Sequence, residues 1–248
     1  MPQQIMLGSY GGFDPYLSNV SLLLNFDGAN ASTTFIDTSP LALSPSTVFG
    51  NAQISTARQK FGPSSALFDG AGDAVLYAHN AAHHLSGDFT IELFFYAVSS
   101  SAVRNLLNKG GGAGIAWASY EVQLDTAGVL RFAASSANTS YDIGGESGAP
   151  GTIGTPAINT WHHVAVTRQG NVYRTFLNGV AGWTATLALT PYDASPRGLC
   201  VGSNFSTTWG TGTPVGTHNG NLDAIRITNG VARYTSAFTP PSAPFPTS

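Results

Sequence analysis

Three glutamates, six histidines, one cysteine and a set of aspartates at turn positions are the residues of this chain that could do chemistry. Glycoside hydrolysis needs two carboxyl groups facing one cleft, one as acid and the other as base or nucleophile. Glu92, Glu121 and Glu146 are far apart in sequence, and Glu92 has no acidic neighbour at the two-residue spacing that shares a strand face. These glutamates read as polar-face residues, so no catalytic residue is assigned and the chain is not expected to be an enzyme. The histidines include two adjacent pairs, His83-His84 and His162-His163. In strands, neighbouring side chains point to opposite faces and cannot hold one ion together, and no Ser/His/Asp order or helical His-x-x-x-His is present. Cys200, alone in the apolar run GLCVGS, reads as a small buried hydrophobe. Glycines 110–112 could cradle a phosphate only ahead of a helix, and a strand pattern, Tyr120–Leu124, follows instead. Trp117, Tyr120 and Trp209 stand in or beside long loops, where an aromatic face with nearby amides could receive a sugar ring or a protein partner.

Antiparallel strands must position these groups. In Trp161–Val180, Val164 and Val166 alternate with His163, Ala165 and Thr167, a turn follows at Gln169-Gly170-Asn171, and Tyr173, Thr175 and Leu177 resume the period of two. Asn178-Gly179 suits a type I′ turn into a third strand. Phe89, Ile91, Leu93 and Phe95 mark another core strand, opposite Thr90, Glu92, Phe94 and Tyr96. Leu22–Phe26, Ala66–Phe68, Val129–Ala133, Trp183–Leu189, Gly198–Gly202 and Asn221–Thr228 add further strands, separated by turn residues and without an amphipathic helix. More than ten short strands predict two packed antiparallel sheets, an all-β jelly-roll sandwich.

Length allows one such sandwich, which can reach about 250 residues as a single core, so residues 20–248 are read as one domain and 1–19 as an extended N-terminal arm. Tyr10, Phe13 and Tyr16 in that arm suit docking on the domain itself or on a neighbouring subunit. Only 9% of residues are charged and the net charge is −3, without a basic run, which leaves no electrostatic footprint for nucleic acid or an anionic membrane. The first residues lack a basic segment and a long apolar run, so neither a signal peptide nor membrane insertion is expected.

L-L-L-N-F-D-G at 22–28, F-G-P-S-S-A-L-F-D-G at 61–70, D-F-T-I-E-L-F-F at 88–95 and W-H-H-V-A-V-T-R at 161–168 follow the order of the laminin-G-like, concanavalin A-like domains. The ending L-D-A-I-R-I-T-N-G-V-A-R-Y-T-S-A-F-T-P-P at 222–241 resembles that of tailed-bacteriophage proteins with this domain. The resemblance implies that the first and last strands lie side by side. It also implies calcium at strand ends, with Asp27 and Asp223 as the leading pair and Asp69 and Asp73 at a second turn. The family often has a second acid after the last-strand Asp, where this chain has Ala224, and the closely spaced acid set of the hydrolase branch is missing.

A virion setting follows from the resemblance, with assembly in the host cytoplasm. The expected role is a non-enzymatic virion surface protein, a capsid decoration or tail-associated module attached partly through the 1–19 arm to other capsid or tail proteins as a homo-oligomer. The alternative is a lectin-like tail protein that binds a cell-surface glycan or host receptor.

Overall fold

A computed structural model describes residues 12–113, 117–145, 151–206 and 208–248. Its strands, in chain order, are β1 (Val20–Leu24), β2 (Thr47–Phe49), β3 (Gln53–Ser55), β4 (Ser65–Asp69), β5 (Ala74–Tyr77) and β6 (Phe89–Ala97). Then come β7 (Arg104–Lys109), β8 (Gly112–Ala113), β9 (Tyr120–Leu124), β10 (Leu130–Ala134), β11 (Ile143–Gly144), β12 (Thr152–Gly154) and β13 (Trp161–Gln169). The last six are β14 (Val172–Leu177), β15 (Val180–Thr186), β16 (Leu199–Val201), β17 (Asn204–Ser206), β18 (Pro214–Val215) and β19 (Asn219–Asn229).

Two eight-stranded antiparallel sheets form the sandwich. Sheet one runs β15-β14-β13-β6-β19-β4-β3, with β1 also on β19, and sheet two runs β11-β10-β9-β7-β16-β5-β2, with β12 also on β10. The expected meander is β13-β14-β15, and its turn has Asn178 at φ 52° and Gly179 at φ 77°, as a type I′ turn requires. The first and last strands do pair, Leu22 facing Ile227 and Leu24 facing Ile225. Phe89, Ile91, Leu93 and Phe95 from β6 meet Tyr120, Val122 and Phe132 of sheet two in one apolar core. The Gly-rich stretches at 109–119, 134–157 and 203–221 carry β8, β11, β12, β17 and β18, and β8, β17 and β18 form a third small sheet.

The opposite face of β6 is not solvated. Thr90, Glu92 and Phe94 are buried because residues 231–248 run back across the outer side of sheet one. Glu92 organises this cover: Oε1 accepts from Arg226 Nε at 2.9 Å and Nη2 at 2.7 Å, and Oε2 accepts from the Tyr234 hydroxyl at 2.8 Å. His163 Nε2 lies 3.2 Å from Oε2. Asp14 then bridges Arg226 and Arg233, at 2.9 Å and 2.8 Å, so two carboxylates and two guanidiniums form one buried, charge-balanced cluster. Tyr234 and Phe238 stack at 3.6 Å over Phe176, while Phe245 lies against Arg226.

Asp14 sits in the segment read as an extended arm, and residues 12–19 dock on the sandwich itself, one of the two placements expected for that arm. The Asp14 backbone N–H donates to the Ser248 carbonyl at 2.8 Å, and Tyr16 lies under Arg233. Phe13 is 61% exposed, and Tyr10 lies outside the described residues.

Removing one member of a buried ion pair strands the others without compensation. Asp14→Ala should therefore lower the unfolding free energy by about 3–5 kcal/mol, whereas Phe13→Ala on the same segment should change it by about 0.5 kcal/mol or less. Urea unfolding of the two variants checks the contrast.

Candidate functional site

Short loops at one end of sheet two gather an aromatic ledge. Trp117 precedes β9 and is 40% exposed, with its ring edge-on to Tyr141 at 4.9 Å. Asn138, held at φ 58° with its N–H on Ser135 Oγ, accepts the Trp117 N–H through Oδ1 at 3.1 Å. The Tyr192 hydroxyl donates to the Trp117 carbonyl at 2.7 Å and accepts from Arg197 Nη2 at 2.8 Å. Tyr192 is itself tied down, its N–H on the Ser135 carbonyl and its carbonyl on the Ser119 hydroxyl. An open ring face beside an amide, two phenols and a guanidinium is chemically suited to the apolar face and hydroxyl rim of a sugar.

Of the three aromatic residues expected in such a platform, Trp117 alone is there. Tyr120 is fully buried and donates its hydroxyl to the His83 carbonyl at 3.0 Å. It lies on the inward side of β9, with Val122 and Leu124 on the same side, so the strand period takes it into the core. Trp209 is half-buried against Phe205, 5.1 Å away, over Leu76 and Cys200 on the outer side of sheet two. Sequence reasoning missed Asn138, Tyr141, Tyr192 and Arg197, since only folding brings 117, 138, 141 and 192–197 together.

The four aspartates divide into two kinds. Asp73 is buried, with Oδ1 accepting the Asn51 N–H at 2.7 Å and Oδ2 the Asp69 N–H at 2.8 Å, while Asp69 accepts from Ala71 N–H. These are turn-holding contacts. Asp223 is also fully buried and its Oδ2 accepts the N–H groups of Lys60 and Phe61, but Oδ1 has no partner. Burial, aided by the charge of Asp27, raises its carboxyl to about 7, and burial raises Asp27 as well. Asp27 packs against Gly62, where a Cβ would come within 2.2 Å of its Oδ1. Ala224, at the place of the family's second acid, has φ 46° at a bulge in β19 and packs in an apolar cluster. Among the described residues no three His, Cys, Asp or Glu side chains converge on one point, so a cation here would draw on carbonyl or water oxygens beside Asp27 and Asp223. The orphaned Oδ1 of Asp223 fits that role.

Residues 69–234, about two thirds of the chain, match the Laminin_G_3 family. The chain belongs to the concanavalin A-like lectin/glucanases superfamily. Among solved structures, the binding domain of Paraclostridial Mosquitocidal Protein 1 is similar with TM-score 0.62 and 14% identity, covering 88% of this chain and 51% of that one. The binding domain of botulinum neurotoxin DC, in complexes with rat synaptotagmin II and with SialylT, gives TM-scores of 0.55 and 0.56. Both are 14% identical and cover 88% of this chain, against 50% and 49% of theirs. A mutant Trypanosoma rangeli sialidase displaying trans-sialidase activity gives 0.55 at 12% identity, covering 87% of this chain and 32% of that one. At such identities the likeness is one of fold, and this chain spans about half the length of the toxin binding domains it matches. No curated protein sequence matches it.

In this concanavalin A-like frame the two described glutamates sit on different sheets. Glu92 is enclosed on sheet one, and Glu121, on the outer side of sheet two, is buried with the amides of Asn108 and Gln123 on its carboxylate at 2.8 and 3.1 Å. The pair His162-His163 is separated as the strand period requires, His162 beside Phe95 in the interior and His163 beside Glu92 outside, whereas His83-His84 lies at a 3-10 turn, His83 on the Ser21 carbonyl and His84 on that of Pro191. His83 and His218 are fully buried, and burial lowers both to about 4.

A base whose folded pKa is depressed is protonated first in the unfolded chain, so stability present above pH 6.5 is lost as pH falls toward 4. His83 and His218 each add to this loss, and Asp223, protonated in the fold up to about pH 7, offsets one of them. The net slope is about 1.4 kcal/mol per pH unit at its steepest. Urea midpoints measured from pH 7 to 5 should fall accordingly, and His83→Gln should flatten the curve.

Proposed function

We propose that this domain is a non-enzymatic, lectin-like binding module of a tailed-phage virion, working as a tail-associated or capsid-decorating protein. The observation that carries the binding reading is the Trp117 ledge, where the Asn138 amide oxygen and the Tyr192 hydroxyl fix the Trp117 backbone and Tyr141 packs edge-on to its exposed indole before any ligand arrives. Such preorganisation lowers the ordering cost of binding. The clostridial toxin binding domains, about half of whose length this sandwich matches, lend support at the level of fold alone. The enclosure of Glu92 and Glu121, each occupied by neighbouring side chains, favours binding over hydrolysis. The virion setting rests on the resemblance of residues 222–241 to phage proteins, and the cell-surface glycan is the proposed ligand. Attachment to other virion proteins, with homo-oligomers, then falls to the exposed Phe13 and to the rest of the arm with Tyr10, because Tyr16 is engaged by Arg233.

On a glycan array the full chain should give defined hits that Trp117→Ala weakens at least about tenfold, a loss of 1.4 kcal/mol or more. An array without hits above background removes the glycan reading. Absence of the protein from purified particles removes the virion reading.

Calcium at Asp27 and Asp223 is the proposed cofactor, its charge answering the partnerless Oδ1 of Asp223. Calcium at ~100 times its dissociation constant should raise the melting temperature of EDTA-treated protein by about 5–10 °C. Asp223→Asn should abolish the shift, and a melting temperature indifferent to excess EDTA would count against the ion.

A further inference from the structure

Most basic side chains of this chain are committed within the fold. Arg226 and Arg233 meet Asp14 and Glu92, Arg131 lies 2.6 Å from Asp125, and Lys109 is buried against His79 and the Arg197 carbonyl. Arg104 and Arg168 donate to backbone carbonyls. Among the described residues Arg174 meets no carboxylate either, but Arg58 and Lys60 stand apart as a pair on one connection. Both leave the connection between β3 and β4, and each lies over rings on the outer side of sheet one. The Arg58 guanidinium is 4.1 Å from the centroid of Tyr96, and the Lys60 ammonium is 5.5 Å from that of Phe94 and 5.4 Å from that of Phe61.

Phe94 and Tyr96 are two residues apart on one face of β6, which spaces their positions by about 7 Å along the strand. Arg58 is fixed further by Nη1, which donates to Asn221 Oδ1 at 2.9 Å, while Asn221 Nδ2 donates to Ser65 Oγ at 3.0 Å. Among the described residues neither cation has a carboxylate within 4.0 Å. Asp223 below them takes the backbone N–H groups of Lys60 and Phe61, so it anchors the loop and leaves both side-chain charges unanswered. Trp161 stands next to Tyr96, edge-on at 5.7 Å, and exposed Val98 and Ile158 flank the same strand ends.

We propose that this strip, Arg58, Lys60, Tyr96 and Trp161, with Arg58 braced from beneath by the buried Asn221, is a second ligand site that takes a carboxylate-bearing saccharide such as an oligouronate. The complement of two unpaired, ring-supported cations on a chain of net charge −3 is an anion. A guanidinium held in plane suits a carboxylate bidentately, and the half-buried indole beside it suits the apolar face of the sugar that bears the acid. An extended peptide is disfavoured, because β6 is hydrogen-bonded on both sides, to β13 and β19, and offers no free edge for strand addition. The strip is on sheet one and the Trp117 ledge on loops of sheet two, so the two readings stand or fall separately.

Titration of the full chain with trigalacturonate, followed by calorimetry, tests the site. Binding should weaken at least tenfold in Arg58→Gln and several-fold in Lys60→Gln, and fall as salt rises. Lys60 is exposed, so its variant keeps the test open if Arg58→Gln unfolds. Absence of binding, equal affinity for the neutral trisaccharide, equal affinity for triglutamate, or affinity untouched by Lys60→Gln in folded protein would each overturn the proposal.

Discussion

The buried ion pair between Glu92 and Arg226 is the contact on which the rest of the molecule depends. A carboxylate in the middle of a central strand, at zero exposure, survives only if every lone pair is answered. Arg226 supplies two donors from the adjacent strand, and Tyr234 supplies a third from the returning C-terminal segment. Arg226 in turn needs more acid than Glu92 provides, and Asp14 delivers it from the other end of the chain. With both neighbours present, the guanidinium stays charged despite burial, and the Glu92 carboxyl is held well below its usual range although burial alone would raise it. The central strands and both terminal segments are thereby ordered together.

That cluster also decides which surfaces are free. Residues 231–248 close the part of sheet one over Thr90, Glu92 and His163, leaving open the strand ends where Tyr96, Trp161 and Arg58 meet. On sheet two, Trp209 and Phe205 cover Leu76 and Cys200, and the row Asn108, Glu121 and Gln123 is buried with its amides turned on the carboxylate. Accessible on sheet two is its end, where loops are held by serine and asparagine caps, as expected of a chain with so few ionic residues.

Strands were legible wherever one face was uniformly apolar. The alternation in Phe89–Phe95 and Val164–Val166, and the Asn178-Gly179 turn, follow from a period of two and from residues that tolerate positive φ. The same alternation carried a warning about Tyr120, which shares its phase with Val122 and Leu124 and is core for that reason. Phe205 and Trp209 were harder to read, since two-residue and three-residue strands in a Gly/Thr-rich stretch have no period long enough to detect.

Sequence by itself determined the all-β sandwich, the pairing of first and last strands through a family resemblance, the split pair His162-His163 and the burial of Cys200, because these depend on local pattern and residue type. Only the tertiary structure decided that Glu92 is enclosed, that Asp14 belongs to the domain, that Asp223 keeps one oxygen without a partner, and that Asn138, Tyr141 and Tyr192 surround Trp117. Each of these rests on groups far apart in the chain, up to 212 residues for Asp14 and Arg226, and a side chain's solvation is set by what folds over it.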